Sequence, residues 1–385
     1  WTAVFHRVLP EDAWRWIDAQ TCGTGPEEVG PLQATGRILA RPIEAAAALP
    51  PGPLAAVDGY ALSARETEGA GDYSPLPLAL APPGQALAPG QACAVHCGGP
   101  LPDGADAVLS LDGAEVFGET LEVSQAVAPG EHVARPGEEV QRGAPVLPAG
   151  RRLRPQDAAL LGALGIDRVP VVRAPRVRVV LNAPPQADAC GPMLAGLIGR
   201  DGGVLETLEA VADPGALREA LCRSGADLVL VVGGTGPGAN DFAADVLKEA
   251  GELAFYGVAL HPGDTAAMGR VGPSPAALLP GRPLSCLWSY DVLAGRLLRR
   301  LAGRGTGWPY RSVETALTRK VASSLGRLEL CRVRLGADGA EPLAVADGRR
   351  LATTVAADGF LPVPVQSEGY PEGARVRVYL YDEPD

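Results

Sequence analysis

The 385-residue sequence predicts a multidomain chain, α/β plus β, with a central doubly wound α/β domain, a β-rich insert, a helical and extended linker and a small C-terminal β-barrel. Three observations carry the reading. From Arg176 to about Arg304, strand-like and helix-like stretches alternate, as in a mostly parallel sheet covered by helices on both faces. Between about 74 and 150, short alternating runs are broken by Pro and Gly, the mark of a small β module. From 311 onward, apolar and polar residues alternate over seven or eight positions, so each strand has one buried and one wet face.

In order along the chain, Pro10–Ala19 places Ala13, Trp14 and Ile17 at helical spacing, with Glu11 and Asp12 in the first turn. Leu76–Leu80, Ala92–His96, Ala107–Leu109 and Leu121–Val127 read as strands, and Pro155–Leu164 as a helix closed by Gly165. Val177–Leu181 is strand-like, Met193–Ile198 begins a helix, and Leu205–Val211 is a strand. Asp213 and Pro214 supply an N-cap and a first-turn proline for the next helix. Strand 227–232, a helix over about 242–250, and strands Leu253–Leu260 and Ala276–Leu279 follow, and Pro283 opens a long helix. Leu328–Leu335, Phe360–Val365 and Ala374–Leu380 are the C-terminal strands.

Composition excludes several functions. A net charge of −11 opposes general nucleic-acid binding, because nothing offsets phosphate repulsion. No apolar run approaches the ~20 residues of a membrane span. Seven scattered cysteines give no zinc spacing and suit reduced thiols, so a cytoplasmic setting is expected. The chain carries almost all its positive charge as arginine, Lys248 and Lys320 being the only lysines.

The candidate site is the run Gly233-Gly-Thr-Gly-Pro-Gly238 after the strand Asp227–Val232. A buried strand feeding a glycine-rich turn and then a helix presents backbone N–H groups to an anion. No Gly-Lys-Ser/Thr closes the turn, so it is not a Walker loop, and its spacing is not that of a dinucleotide fingerprint. Asp241, just beyond, either caps the helix or holds a metal that accompanies the anion. Ligands of such sheets bind beyond the carboxyl ends of the strands, where Leu279-Pro-Gly-Arg-Pro283 also falls.

Eight segments in order resemble the molybdopterin molybdotransferases, the MoeA family to which the gephyrin E domain belongs. They are Thr35–Ala40, Asp58-Gly-Tyr-Ala61, Gly98–Val108, Gly130-Glu-His-Val with Gly137-Glu-Glu-Val140, the Gly233 turn with Asp241-Phe, Leu279–Pro283, Leu317-Thr-Arg-Lys320 and Ala357-Asp-Gly359. The resemblance implies a MogA-like α/β domain over 176–305 and a C-terminal barrel over 306–385. It also implies a β-rich domain from 28–41 and 63–135, and a linker domain from 1–27, 42–62 and 136–175. It implies release of AMP from an adenylated dithiolene pterin with Mg²⁺, insertion of molybdate, and a cleft between the subunits of a homodimer that serves a molybdoenzyme. The residues carried over are Asp58, Glu139 (where the family usually has Asp) and Asp241 as catalytic groups, with Asp58 and Asp241 as metal ligands. Gly233, Gly234, Thr235, Gly236, Gly238, Pro280, Gly281, Arg282, Pro283 and His261 are carried over as the pterin and oxyanion site. Cys97 and Cys190 fall near that site, where small buried apolar roles outweigh contact with metal or pterin.

The departures matter as much. The family's Lys-Pro-Gly-Lys-Pro reads His261-Pro-Gly-Asp264-Thr265 here, replacing two cations with a histidine and a carboxylate. Two like charges ~4 Å apart repel by roughly 4 kcal/mol at an effective dielectric near 20, so Asp264 is expected to reverse the local field. Asn182–Asp188 replaces the family's Ser-Thr-Gly-Asp-Glu-Leu, and Arg282 and a protonated His261 are the candidate replacement cations. Three readings follow: a divergent molybdotransferase, a paralogue that binds molybdopterin or finished cofactor as carrier, chaperone or regulatory partner of a molybdoenzyme without transferring metal, or an oligomeric scaffold with a dead cleft.

Overall fold

A computed structural model describes residues 7–20, 23–182, 189–238, 241–343 and 351–381. The segment 183–188 and loop residues 239–240, both part of the sequence argument, lie outside the described residues. The chain divides into two compact units, one of residues 29–35 and 41–169 and the other of the remainder. The four-way division read from the sequence is finer than this.

Helix α1 (Pro10–Ala19) has the predicted bounds and turns Ala13 and Ile17 into the core of the larger unit. The smaller unit holds β1 (Gly59–Leu62), β2 (Leu76–Leu80), β3 (Gln91–Val95), β4 (Ala107–Ser110), β5 (Ala114–Phe117) and β6 (Thr120–Val123). They form one sheet in the order β4-β1-β3-β2-β6-β5, packed on a core that includes Leu62, Leu109, Leu121 and Val123. Helix α2 (Pro155–Ala163) starts where Asp157 accepts the Arg154 backbone N–H at 2.9 Å, and its side chain also binds Arg151 and Arg154.

In the larger unit the α/β region runs β7 (Arg176–Leu181), α3 (Cys190–Arg200), β8 (Val204–Ala210), α4 (Pro214–Cys222), β9 (Leu228–Val232) and α5 (Ala243–Ala250). The Asp213 carboxylate accepts the Ala216 N–H at 2.9 Å, the cap expected from its sequence position. Next come β10 (Glu252–Tyr256), β11 (Leu260–His261), β12 (Ala267–Val271) and β13 (Ser274–Leu279). The sheet order is β8-β7-β9-β13-β12-β10, with β8, β7, β9 and β13 parallel and the last two strands antiparallel. Strand β9 is buried throughout, so its apolar run Leu228–Val232 serves cores on both faces.

Two expectations change here. The single strand Leu253–Leu260 is broken, because Gly257 adopts φ 94° and sends the chain out of the sheet. Only β10 remains in the α/β sheet; β11 pairs in parallel with the C-terminal sheet instead. The long helix from Pro283 is α6 (Pro283–Ser289), one π turn over Tyr290–Ala294, and α7 (Gly295–Leu301). The wider turn coincides with a buried polar cluster. There Asp291 accepts from Arg200 and from the Tyr310 hydroxyl, both at 2.7 Å, while Asp201 binds Arg200 and Arg299.

The C-terminal strands are β14 (Ser312–Ala316), β15 (Leu328–Gly336), β16 (Gly339–Pro342), β17 (Gly359–Val363) and β18 (Arg375–Leu380). Their sheet runs β11-β15-β17-β18-β14, with β16 paired to β15. A bridge between Leu317 and Ala340 brings the chain after β14 back to β16, closing a small barrel around Cys331, Val333, Leu361 and Val378. No helix among the described residues is long and apolar enough to cross a membrane.

Candidate functional site

The turns after β9 and β13 meet at the carboxyl edge of the α/β sheet. The Gly233 N–H donates to the Leu279 carbonyl at 2.8 Å, and a Cβ on Gly281 would lie only 3.2 Å from the Gly233 Cα. Glycine at 281 therefore permits the two turns to touch. Gly233 and Gly234 have φ 90° and 68°, the left-handed conformation that curls successive amides toward one side. Among the described residues, the N–H groups of Gly234, Thr235 and Gly236 donate to no protein acceptor. That is the property an anion cradle needs.

These turns line a cleft of about 490 Å³, together with Asp241, Gly263–Thr265 and Ser285. Gly233, Gly234, Thr235, Gly236, Asp241, Pro280, Gly281 and Arg282 thus converge on one space. Gly238 and Pro283 border it in sequence and do not line it. The Gly238 N–H is taken by Asp241 Oδ2 at 2.9 Å, and Pro283 opens α6. Arg282 is exposed and, among the described residues, forms no side-chain hydrogen bond or ion pair. Thr235 is buried, with its hydroxyl 3.0 Å from that of Thr265.

The reversed field expected from Asp264 is offset in the structure. Arg7 donates to Asp264 Oδ2 at 2.7 Å. The N-terminal segment is held in place by Val8, which donates to Gly257 and accepts from Ala259. His261 does not supply the missing cation. It lines a neighbouring pocket of about 250 Å³ with Arg7, Asp264 and Arg327, and burial, aided by the Arg327 charge, lowers its pKa. At neutral pH the ring is therefore uncharged.

Asp58 and Glu139 belong to the smaller unit and Asp241 to the larger. Asp58 is exposed, accepts the Cys97 N–H at 2.9 Å and lies 3.5 Å from His96 Nδ1. Glu139 is exposed, and its backbone N–H bonds the Leu49 carbonyl. Among the described residues no three His, Cys, Asp or Glu side chains form a group able to hold a metal alone. Asp241 fits the other mode, in which one carboxylate shares Mg²⁺ with phosphate oxygens and water. Its Oδ2 is engaged by Gly238, and Oδ1 has no hydrogen bond among the described residues. Cys190 is buried at the start of α3, its thiol 3.6 Å from the Gly281 carbonyl, while Cys97 is exposed rather than buried.

Sequence reasoning missed Thr265, Ser285, Arg7 and Tyr256. Tyr256, at the end of β10, reaches the carbonyls of Thr235 and Gly236 at 2.9 and 3.1 Å. None of the four carries a local signal, since each acts only through what the fold places beside it.

Three family models match the chain in order: the MoeA N-terminal region (domain I and II) over 9–165, the "Probable molybdopterin binding domain" over 180–300, and the MoeA C-terminal region (domain IV) over 314–381. A solved structure of the molybdopterin biosynthesis MoeA protein of Pyrococcus horikoshii is similar at 30% identity, with a TM-score of 0.78, over 98% of this chain and 100% of that one. Molybdopterin molybdenumtransferase 2 of Mycobacterium tuberculosis is 29% identical over 92% of this chain and 95% of its own. The molybdopterin molybdenumtransferase of Bacillus subtilis is 25% identical over 90% and 88%. With matched regions in this order and a fold shared along their length, the chain belongs to the MoeA family.

Proposed function

We propose that this chain is a molybdopterin molybdenumtransferase, acting in molybdenum cofactor biosynthesis to insert molybdate into adenylated molybdopterin. The observation that carries the proposal is the cleft itself. Three consecutive amides, a guanidinium and a carboxylate oxygen, none with a hydrogen-bond partner among the described residues, belong to residues that line one space of about 490 Å³. In this reading the amides of Gly234, Thr235 and Gly236 bind the pterin phosphate, and Arg282 binds a phosphate or molybdate oxygen. Asp241 would hold Mg²⁺, and the cation would supply neutralisation of phosphate charge during release of AMP. Arg7 cancels the charge of Asp264, so the incoming oxyanion is not repelled. Asp58 and Glu139 are assigned to the same chemistry from the smaller unit, in a homodimer whose product passes to a molybdoenzyme. A cytoplasmic setting suits the free state of all six described cysteines.

The test gives the purified chain adenylated molybdopterin, molybdate and Mg²⁺, and follows AMP release and formation of active cofactor. Both are expected. Tight pterin binding with neither AMP release nor cofactor formation would overturn the transferase reading, and no binding at all would remove the site. Sedimentation equilibrium is expected to give twice the 39.6 kDa chain mass. A monomer would end the dimer assignment.

A further inference from the structure

The Gly233 turn is useful to an anion only while its amides face the cleft, and its glycines leave the backbone free to turn elsewhere. In a planar peptide the carbonyl and the following N–H point in opposite directions. Whatever holds a carbonyl therefore aims the next amide. The Gly234 carbonyl accepts from the Ala243 N–H at 3.0 Å, which directs the Thr235 N–H away from α5. The Thr235 carbonyl accepts from the Tyr256 hydroxyl at 2.9 Å, which directs the Gly236 N–H away from β10. The same hydroxyl lies 3.1 Å from the Gly236 carbonyl, whose peptide ends on Pro237 and offers no N–H. Gly236 is thus the last free donor of the turn.

We propose that Tyr256 is a positioning residue whose phenol holds this turn in its anion-binding shape. The inference rests on the reading that the Gly233 cleft binds the pterin phosphate. A further fact suits the role: the Thr235 hydroxyl lies 3.0 Å from that of Thr265, so the turn is held through a side chain as well as through its carbonyls. Without the hydroxyl, the Thr235 carbonyl loses its donor, the Gly236 carbonyl loses its near neighbour, and the turn is free to rotate toward water.

The experiment titrates the full-length wild type, Tyr256→Phe and Tyr256→His with molybdopterin in the presence of Mg²⁺ by calorimetry, and records thermal unfolding of each. Tyr256→Phe is expected to weaken binding about tenfold, the scale of one lost hydrogen bond, with little change in unfolding temperature. Tyr256→His keeps an N–H donor and is expected to recover to within about threefold of wild type. Tyr256→Leu serves as the donor-free variant if Tyr256→Phe does not fold. Wild-type affinity in a donor-free variant, or a histidine variant no better than phenylalanine, overturns the positioning role while the cleft assignment stands. A wild type that does not bind molybdopterin overturns the cleft assignment and this inference with it.

Discussion

Arg7 and Asp264 form an ion pair whose side chains are 54% and 44% exposed, so the pair adds little to stability. Its value lies in what it does to the cleft that Asp264 lines. Arg7→Ala should leave the unfolding temperature within about 2 °C of wild type, as for a surface pair worth under 1 kcal/mol. It should weaken molybdate binding by about threefold to tenfold, because an uncompensated carboxylate then faces the oxyanion. Removing the carboxylate as well, in Arg7→Ala with Asp264→Ala, should restore the affinity. Equilibrium dialysis with molybdate checks both, and unchanged affinity in the single variant would count Arg7 as an ordinary surface residue. Asp241→Asn keeps an oxygen for the Gly238 N–H and loses the charge. Folding should persist while the Mg²⁺-dependent part of pterin binding disappears, measured by calorimetry with and without the cation. An unchanged Mg²⁺ effect would leave Asp241 as a turn residue.

Elements in this chain depend on a few buried charges. At the start of α2, hydrogen bonds from Arg151, and further ones from Arg154, hold the Asp157 carboxyl well below the usual carboxylate range. A depressed folded pKa means that this stabilisation is complete above the unfolded value, about 3.9, and is lost as pH falls through the lower folded one. Asp157→Asn should therefore destabilise the protein at pH 7, by about 1–3 kcal/mol, and flatten the acid side of the stability profile. Urea unfolding across pH 3–7 reads both changes. At the π turn, Asp291→Ala leaves Arg200 paired with Asp201 alone and the Tyr310 hydroxyl without its acceptor, and should cost about 1–3 kcal/mol, also measured in urea. Legibility varied among these elements for physical reasons. Helix α1 was readable to its bounds because its apolar spacing and first-turn acids act locally. Strand β12 escaped, since Ala-Met-Gly-Arg-Val offers neither length nor clear alternation. The π turn has no local signature, because its polar partners Arg200 and Tyr310 come from distant parts of the chain.

For the whole molecule, order along the chain carried more information than any single motif. Glycines were legible as a site because positive φ and close approach constrain residue type at Gly233 and Gly281. Charge was harder to read. Asp264 alone suggested a repelled oxyanion, and only folding shows that Arg7, distant in sequence, cancels it. Aromatic positions were the least legible, as Tyr256 acts through a hydroxyl aimed at carbonyls on another strand's turn. One connection has mechanical weight. Two residues after leaving the parallel sheet's neighbourhood at Val258, Leu260 and His261 are stitched to Leu328 and Glu329 of the barrel. After Pro262, residues Gly263 to Thr265 form a wall of the cleft beyond β9 and β13. The barrel thereby holds that wall like a handle: its anchoring pair lies within a few bonds of the cleft proposed to receive the substrate.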